Sequence, residues 1–159
     1  VGATIANRKL FPEPGSISST WGGGAVLDMA LGTRIIKIIK KKKLLSKINK
    51  QGEHIIKRLK ELEDKNLLMG TRGLGLMIAF DLANAKTRNN FIVECVKNGL
   101  VILGCGEKSI RVIPPYIINK EEIDDGMGIM EEALNKVESP RFKHKGHICN
   151  YLTCGEQVS

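Results

Sequence analysis

Hydrophobic positions along the chain change their spacing several times, and each change marks an element. From Leu45 onward, Leu45, Ile48, Ile55, Leu59 and Leu62 fall three and four apart when Gly52 is counted with them. That is the spacing of a single stripe on an α-helix. A glycine on such a stripe predicts either a close approach by another element or a small break. Further upstream, Val26, Leu27, Met29, Ala30 and Leu31 crowd most of a helical circumference. They predict a helix that begins near Gly23 and buries its first turns. Asp28 is a polar exception there, and the lysines at 40–43 end the apolar portion with a solvated turn. Pro12, Pro14 and Gly15 keep residues 1–20 irregular.

Past Asn66 and Gly70 the segments become shorter. "LGLMIAFDL" (74–82) reads as a strand. Residues 87–98 read as a helix with Phe91, Ile92, Cys95 and Val96 on one face, and Gly99 fits the left-handed position just beyond its end. "LVIL" (100–103) and "SIRVI" (109–113) are short apolar strands, the second stopped by Pro114 and Pro115. Asn119 and Glu122 have capping-box spacing. Ile123, Met127, Met130, Leu134 and Val137 continue as an amphipathic helix. The expected fold is α/β, more narrowly an α+β small domain: a long N-terminal helix followed by a small sheet packed by helices. The expected division is a segment at 1–21, a long helical region at 22–65, a small α/β domain at 66–138 and a polar tail at 139–159.

Composition narrows the classes. The chain has 159 residues, enough for one domain with a core or for part of a larger protein. No apolar run approaches the roughly 20 residues of a membrane span. The start "VGATIANRKL" lacks a basic segment followed by an apolar block, so the expected compartment is the cytosol. Four cysteines, Cys95, Cys105, Cys149 and Cys154, suit a reduced interior better than a disulfide framework. The net charge is +8, but much of the excess lies in residues 40–43 and 141–145, and aromatic residues make up only 4%. With little to stack on bases, the lysines read as a solvated face. Neither a nucleic acid nor a membrane is expected as a partner.

Three stretches carry candidate chemistry. In "SSTWGGGAVLDM" (18–29), hydroxyls and glycines run into a helix start. Free amide hydrogens and the positive end of the helix dipole meet there. Thr20 or Ser19 would add a hydroxyl, and Gly22 and Gly23 open backbone, which together suit a phosphate. The alternative is a plain N-cap on a flexible turn. Arg111, in "SIRVIPP", sits within an apolar strand whose Ile110 and Val112 point the other way. It either grips an anion, for which a planar guanidinium suits a carboxylate, or faces water from an edge. His144, His147, Cys149 and Cys154 are zinc-ligand types, but their spacing fits no common finger, so they read as a polar tail and no metal site is expected. Arg72, in "TRGLGLM", opens a strand, with Gly73 and Gly75 as turn formers.

Taken in order, "STWGGGAVLDM", "TRGLGLMIAFDL", "NGLVIL" and "SIRVIPP" resemble the C-terminal part of the class III aminotransferases, the ornithine and 4-aminobutyrate type. The resemblance runs from about Gly2 to Val137. The Ser-Thr-Trp-Gly-Gly form is most similar to the lysine 6-transaminase subfamily. The resemblance implies pyridoxal 5′-phosphate as cofactor and a homodimer in which each subunit has a large cofactor domain and a small C-terminal domain. It implies that Thr20, beside Ser19 and Gly22, reaches across the dimer to the phosphate of the partner's cofactor. It implies that Arg111 binds the α-carboxylate of the amino donor or of 2-oxoglutarate. The family's Schiff-base lysine precedes the segment similar to "VGATIANRKL". The expectation is therefore a C-terminal fragment with no catalytic residue of its own, inactive alone. Its parent would move the terminal amino group of L-lysine to 2-oxoglutarate, or that of ornithine or 4-aminobutyrate. The competing expectation is a non-catalytic basic module that binds anions or nucleic acid.

Overall fold

The structure is a computed structural model that describes residues 6–10, 13 and 24–137. The chain divides into two compact units, Val1–Leu45 and Ser46–Ser159.

In the first unit, a short 3-10 turn at Arg8–Leu10 precedes helix α1, Val26–Lys41. Its apolar residues spread around the circumference, and none of them is buried among the described residues. Val26, Leu27, Met29 and Leu31 are all exposed, so the expected burial of the first turns is not met. The helix ends among the lysines. The Lys42 amide still bonds the Ile38 carbonyl at 2.9 Å, and Lys43 then turns to a positive φ of 50°. The expected single long helix is thereby broken, and α2 starts afresh at Leu44 and runs to Asp64.

The second unit holds a four-stranded antiparallel sheet with the order β1-β2-β4-β3. Its strands are β1 Met69–Leu74, β2 Met77–Asp81, β3 Leu103–Cys105 and β4 Ser109–Val112. Helix α3, Ala85–Lys97, lies between β2 and β3 in sequence, and α4, Lys120–Val137, follows β4. Alternation assigns Ile78, Phe80 and Ile110 to one sheet face, where all three are buried. Phe80 meets Phe91 of α3 edge to face, with ring centroids 6.0 Å apart. Ile55, Leu59, Ile123, Met127 and Leu134 complete the core from α2 and α4.

The α2 stripe holds from Ile48 to Leu62, whereas Leu45 is exposed and Leu44 is buried in its place. Gly52 marks a close approach: a Cβ there would lie 2.1 Å from the carbonyl oxygen of Gly75. Gly75 itself takes φ +55° in the turn between β1 and β2. That turn corrects the strand expected at 74–82, which is in fact the end of β1, a two-residue connection and β2. The strand expected at 100–103 starts instead at Leu103, because residues 100–102 have no strand partner.

Helix α3 is capped by Asn84, whose side-chain oxygen accepts the Thr87 amide at 2.9 Å. Gly99 follows its end at φ +87°. Its buried face includes Arg88, Phe91 and Cys95, while Val96 faces solvent. The Arg88 head is satisfied by the Gly106 carbonyl at 2.6 Å and by Asn89 Oδ1 at 3.0 and 2.8 Å. At the start of α4 the capping box is reciprocal. The Glu122 amide donates to Asn119 Oδ1 at 2.8 Å, and the Asn119 amide donates to Glu122 Oε2 at 2.9 Å.

Candidate functional site

The sheet has a second face, turned away from the buried row of Ile78, Phe80 and Ile110. Register places Arg72, Ala79, Arg111 and Leu103 directly opposite one another across all four strands. Residues paired in this way project to the same side. The next row along the same face is Asp81, Ser109 and Cys105. Leu74 and Met77 share this face and are exposed. Arg111 therefore stands between a small residue, Ala79, and an aliphatic one, Leu103. Neither neighbour offers it an acceptor.

The consequence is visible in its bonding. Arg111 Nε is buried and has no hydrogen-bond partner among the described residues. A buried donor left unpaired costs on the order of 1–3 kcal/mol, so a site that keeps one is suited to a ligand that supplies the acceptor. Alternation correctly set Arg111 apart from Ile110, which is buried on the opposite face, and the edge-strand alternative fails because β4 is flanked by β2 and β3. An apolar groove of about 440 Å³ runs along the same strand end, with Arg111, Val112, Pro114, Ile123 and Met127 among its lining residues.

The neighbouring arginine is quite different. Arg72 donates from one terminal nitrogen to the Gly70 carbonyl at 2.7 Å. From the other it reaches Asp81 Oδ1 at 2.9 Å and Ser109 Oγ at 3.2 Å. Ser109 Oγ in turn donates to the same Asp81 oxygen at 2.5 Å. The Ser109 hydroxyl, and after it Arg72, hold the Asp81 carboxyl below its ordinary value against the opposing effect of burial. Sequence reading took Arg72 only as the opening of a strand and missed this cluster. The signal was present but hidden: once Gly75 and Leu76 are recognised as a turn, pairing Leu74 with Met77 puts Arg72 beside Ala79.

Of the other residues singled out from sequence, Thr20, Ser19 and Gly22 lie outside the described residues, as do His144, His147, Cys149 and Cys154. Among the described residues no three His, Cys, Asp or Glu side chains are grouped to hold a metal ion. No described lysine is buried, whereas a lysine that bonds a carbonyl cofactor is activated by desolvation or a neighbouring cation. Among the described residues, Arg111 is the one suited to a carboxylate ligand. No helix among them is long and apolar enough to cross a membrane.

Comparison with known proteins identifies the family. The family described as aminotransferase class-III matches residues 1–134. The acetylornithine aminotransferase of Archaeoglobus fulgidus is 36% identical over 119 residues, which cover 74% of this chain and 29% of the relative. The L-lysine-epsilon aminotransferase of Mycobacterium bovis is 30% identical over 127 residues, covering 79% of this chain and 28% of the relative. The solved structure of lysine aminotransferase from M. tuberculosis aligns with a TM-score of 0.72 at 31% identity, covering 80% of this chain and 30% of that one. The chain spans less than a third of the length of these relatives. With the family matched over most of its residues and the fold shared with a solved member, the chain belongs to the class III aminotransferases.

Proposed function

We propose that this chain supplies the substrate-carboxylate grip of an aminotransferase that moves a terminal amino group from a basic amino acid to 2-oxoglutarate. The observation that carries the reading is Arg111, a guanidinium with a buried, unpaired Nε set between Ala79 and Leu103 on the sheet. A carboxylate meeting it gains charge-assisted, two-point hydrogen bonding. That contact fixes one end of the ligand, so the amine at the other end is held at a set distance. The donor we favour is L-lysine, through its terminal amine. The acetylornithine enzymes among the relatives make N-acetylornithine a second candidate, and ornithine or 4-aminobutyrate share the same pairing of carboxylate and distant amine.

In this reading Thr20, Ser19 and Gly22 hold the phosphate of pyridoxal 5′-phosphate, with Thr20 acting across a homodimer. When bound, that cofactor supplies the electron sink for removing the amino group. The Schiff-base lysine lies in a large domain beyond these residues, and the 159 residues alone do not transaminate. The free Cys95 and Cys105 are in keeping with work in a reducing cytosol.

The test is an absorbance titration with pyridoxal phosphate on this chain and on a form extended upstream through a large domain. We expect a band at roughly 420 nm, characteristic of a lysine-bound cofactor, in the extended form alone. It should bleach on adding L-lysine and return on adding 2-oxoglutarate. An extended form that never gains the band would sink the proposal.

A further inference from the structure

Asp81 is the acidic group placed to neutralise Arg111. It is paired with Ser109 across β2 and β4, and Arg111 is two residues beyond Ser109 on the same face. That is a diagonal neighbour position, about 7–8 Å between Cα atoms and within reach of long side chains. Were the two to pair, Asp81 would neutralise Arg111 and compete with an incoming carboxylate for its donors. They do not pair, and the reason is visible on the opposite side of Asp81. Its Oδ1 accepts from both Arg72 and Ser109. Its Oδ2 is turned toward β1, where a Cβ on Gly70 would lie 3.7 Å away. Arg72 is itself anchored by the Gly70 carbonyl, so the guanidinium that claims Asp81 cannot drift from the edge of the sheet.

From this arrangement we infer that Arg72, assisted by Ser109, is a positioning residue: it holds Asp81 away from Arg111 and so keeps Arg111 open to an incoming carboxylate. The inference builds on the carboxylate reading of Arg111 but concerns different residues. It also explains why an exposed arginine at a sheet edge is tied down by three separate acceptors. A solvated surface arginine needs none of them. Removing Arg72 frees the Asp81 carboxylate to swing along the face to the unpaired guanidinium, which closes the ligand site from within.

The experiment uses the chain as it stands and reads the Nε–H resonance of Arg111 by nitrogen-15 NMR, assigned by its loss in Arg111→Lys. Sodium acetate is the carboxylate probe. In the unmodified chain the resonance should sit where an unpaired guanidinium does and shift as acetate is added. In Arg72→Ala it should already be shifted without acetate, and acetate should bind about five-fold more weakly, the range of a single partly exposed ion pair. Arg72→Ala combined with Asp81→Asn should return both readings to those of the unmodified chain. Arg72→Lys, which keeps the charge, should stay close to it. Ser109→Ala gives a second and gentler route, moving the resonance the same way by a smaller amount. If Arg72→Ala and Ser109→Ala keep a folded circular dichroism spectrum and leave the resonance in place, the inference is overturned. If acetate never moves the resonance of the unmodified chain while Arg72→Ala does, the sequestration stands and the carboxylate reading of Arg111 falls.

Discussion

Gly52 and Gly75 meet backbone to backbone, with the helix α2 position pressed against the carbonyl of the β1–β2 turn. A Cβ on Gly52 would stand 2.1 Å from that oxygen and 2.6 Å from its carbon. Both are main-chain atoms, so no flexible side chain can yield. Gly52→Ala gains helix propensity worth about 1 kcal/mol but must push the helix off the hairpin, and overpacking of this kind costs about 1–3 kcal/mol or more. The steric effect wins. Urea unfolding should show a lower midpoint for Gly52→Ala, whereas alanine at the exposed helical Glu53 should leave the midpoint within a few tenths of a molar.

The reciprocal cap at the head of α4 is a second site where one side chain decides an element boundary. Asn119→Ala removes the acceptor for the Glu122 amide and should cost about 1 kcal/mol. Glu122→Ala removes the other half of the pair, and the double variant should cost less than the sum of the two. Additive losses would show that the two bonds do not act together.

These two contacts show what kind of information the sequence held. Gly52 on an apolar stripe and the Asn119–Glu122 spacing are local patterns: the first offers a close approach or a break, and the second predicts its cap. Arg111 was legible for the same reason, since strand alternation separates it from Ile110. Strand β1 was not legible. Its residues "MGTRGL" include two glycines and are nearly all exposed, so no apolar alternation marks it. Arg88 was also hidden, because its burial depends on a carbonyl eighteen positions later at Gly106, and no periodic pattern carries that. Arg72 and Asp81 became a pair only once the turn between them was known.

Glu94 provides a pH-dependent handle on stability. Its side chain is nearly buried, and Lys97 at 2.8 Å, with Lys136 at 3.5 Å, faces it. The hydrogen bond from Lys97, then the charges of Lys97 and Lys136, hold the carboxyl below its ordinary value of 4.5 against the effect of burial. A lowered folded-state value means that the stabilisation is present above pH 4.5 and is lost as pH falls through the lower folded value. Glu94→Gln should therefore be less stable than the parent at pH 7, and the difference should shrink as both are acidified below pH 4.5. Urea midpoints across that range would reveal it. A gap that is constant with pH would mean that the carboxylate charge is not involved.

Burial pushes the Cys95 thiol up to about 12. Essentially no thiolate is present at neutral pH, and thiolate is the reactive form. Iodoacetamide should leave Cys95 unmodified in the folded chain while it labels the half-buried Cys105, and both should react in urea. Peptide mass spectrometry distinguishes the two. Rapid labelling of native Cys95 would mean that α3 opens readily.

Arg111 gives a prediction about stability as well as binding. A guanidinium with a buried donor left unpaired adds little to the fold, so Arg111→Met should unfold at the same temperature as the parent or slightly above it. A marked drop in melting temperature would show that the side chain serves the fold instead of a ligand.

The sheet order also bears on how the chain behaves in a crowded solution. Both borders of the sheet are poor templates. Strand β3 is three residues long, and β1 is interrupted by an irregularity between Met69 and Arg72, with the Arg72 side chain bonded back onto its own edge. An incoming strand would find no long, straight run of free amides and carbonyls with which to pair. Among the described residues the sheet has four strands, and the apolar patch around Leu74 and Met77 is exposed without a long, straight free edge beside it to invite growth into fibrils.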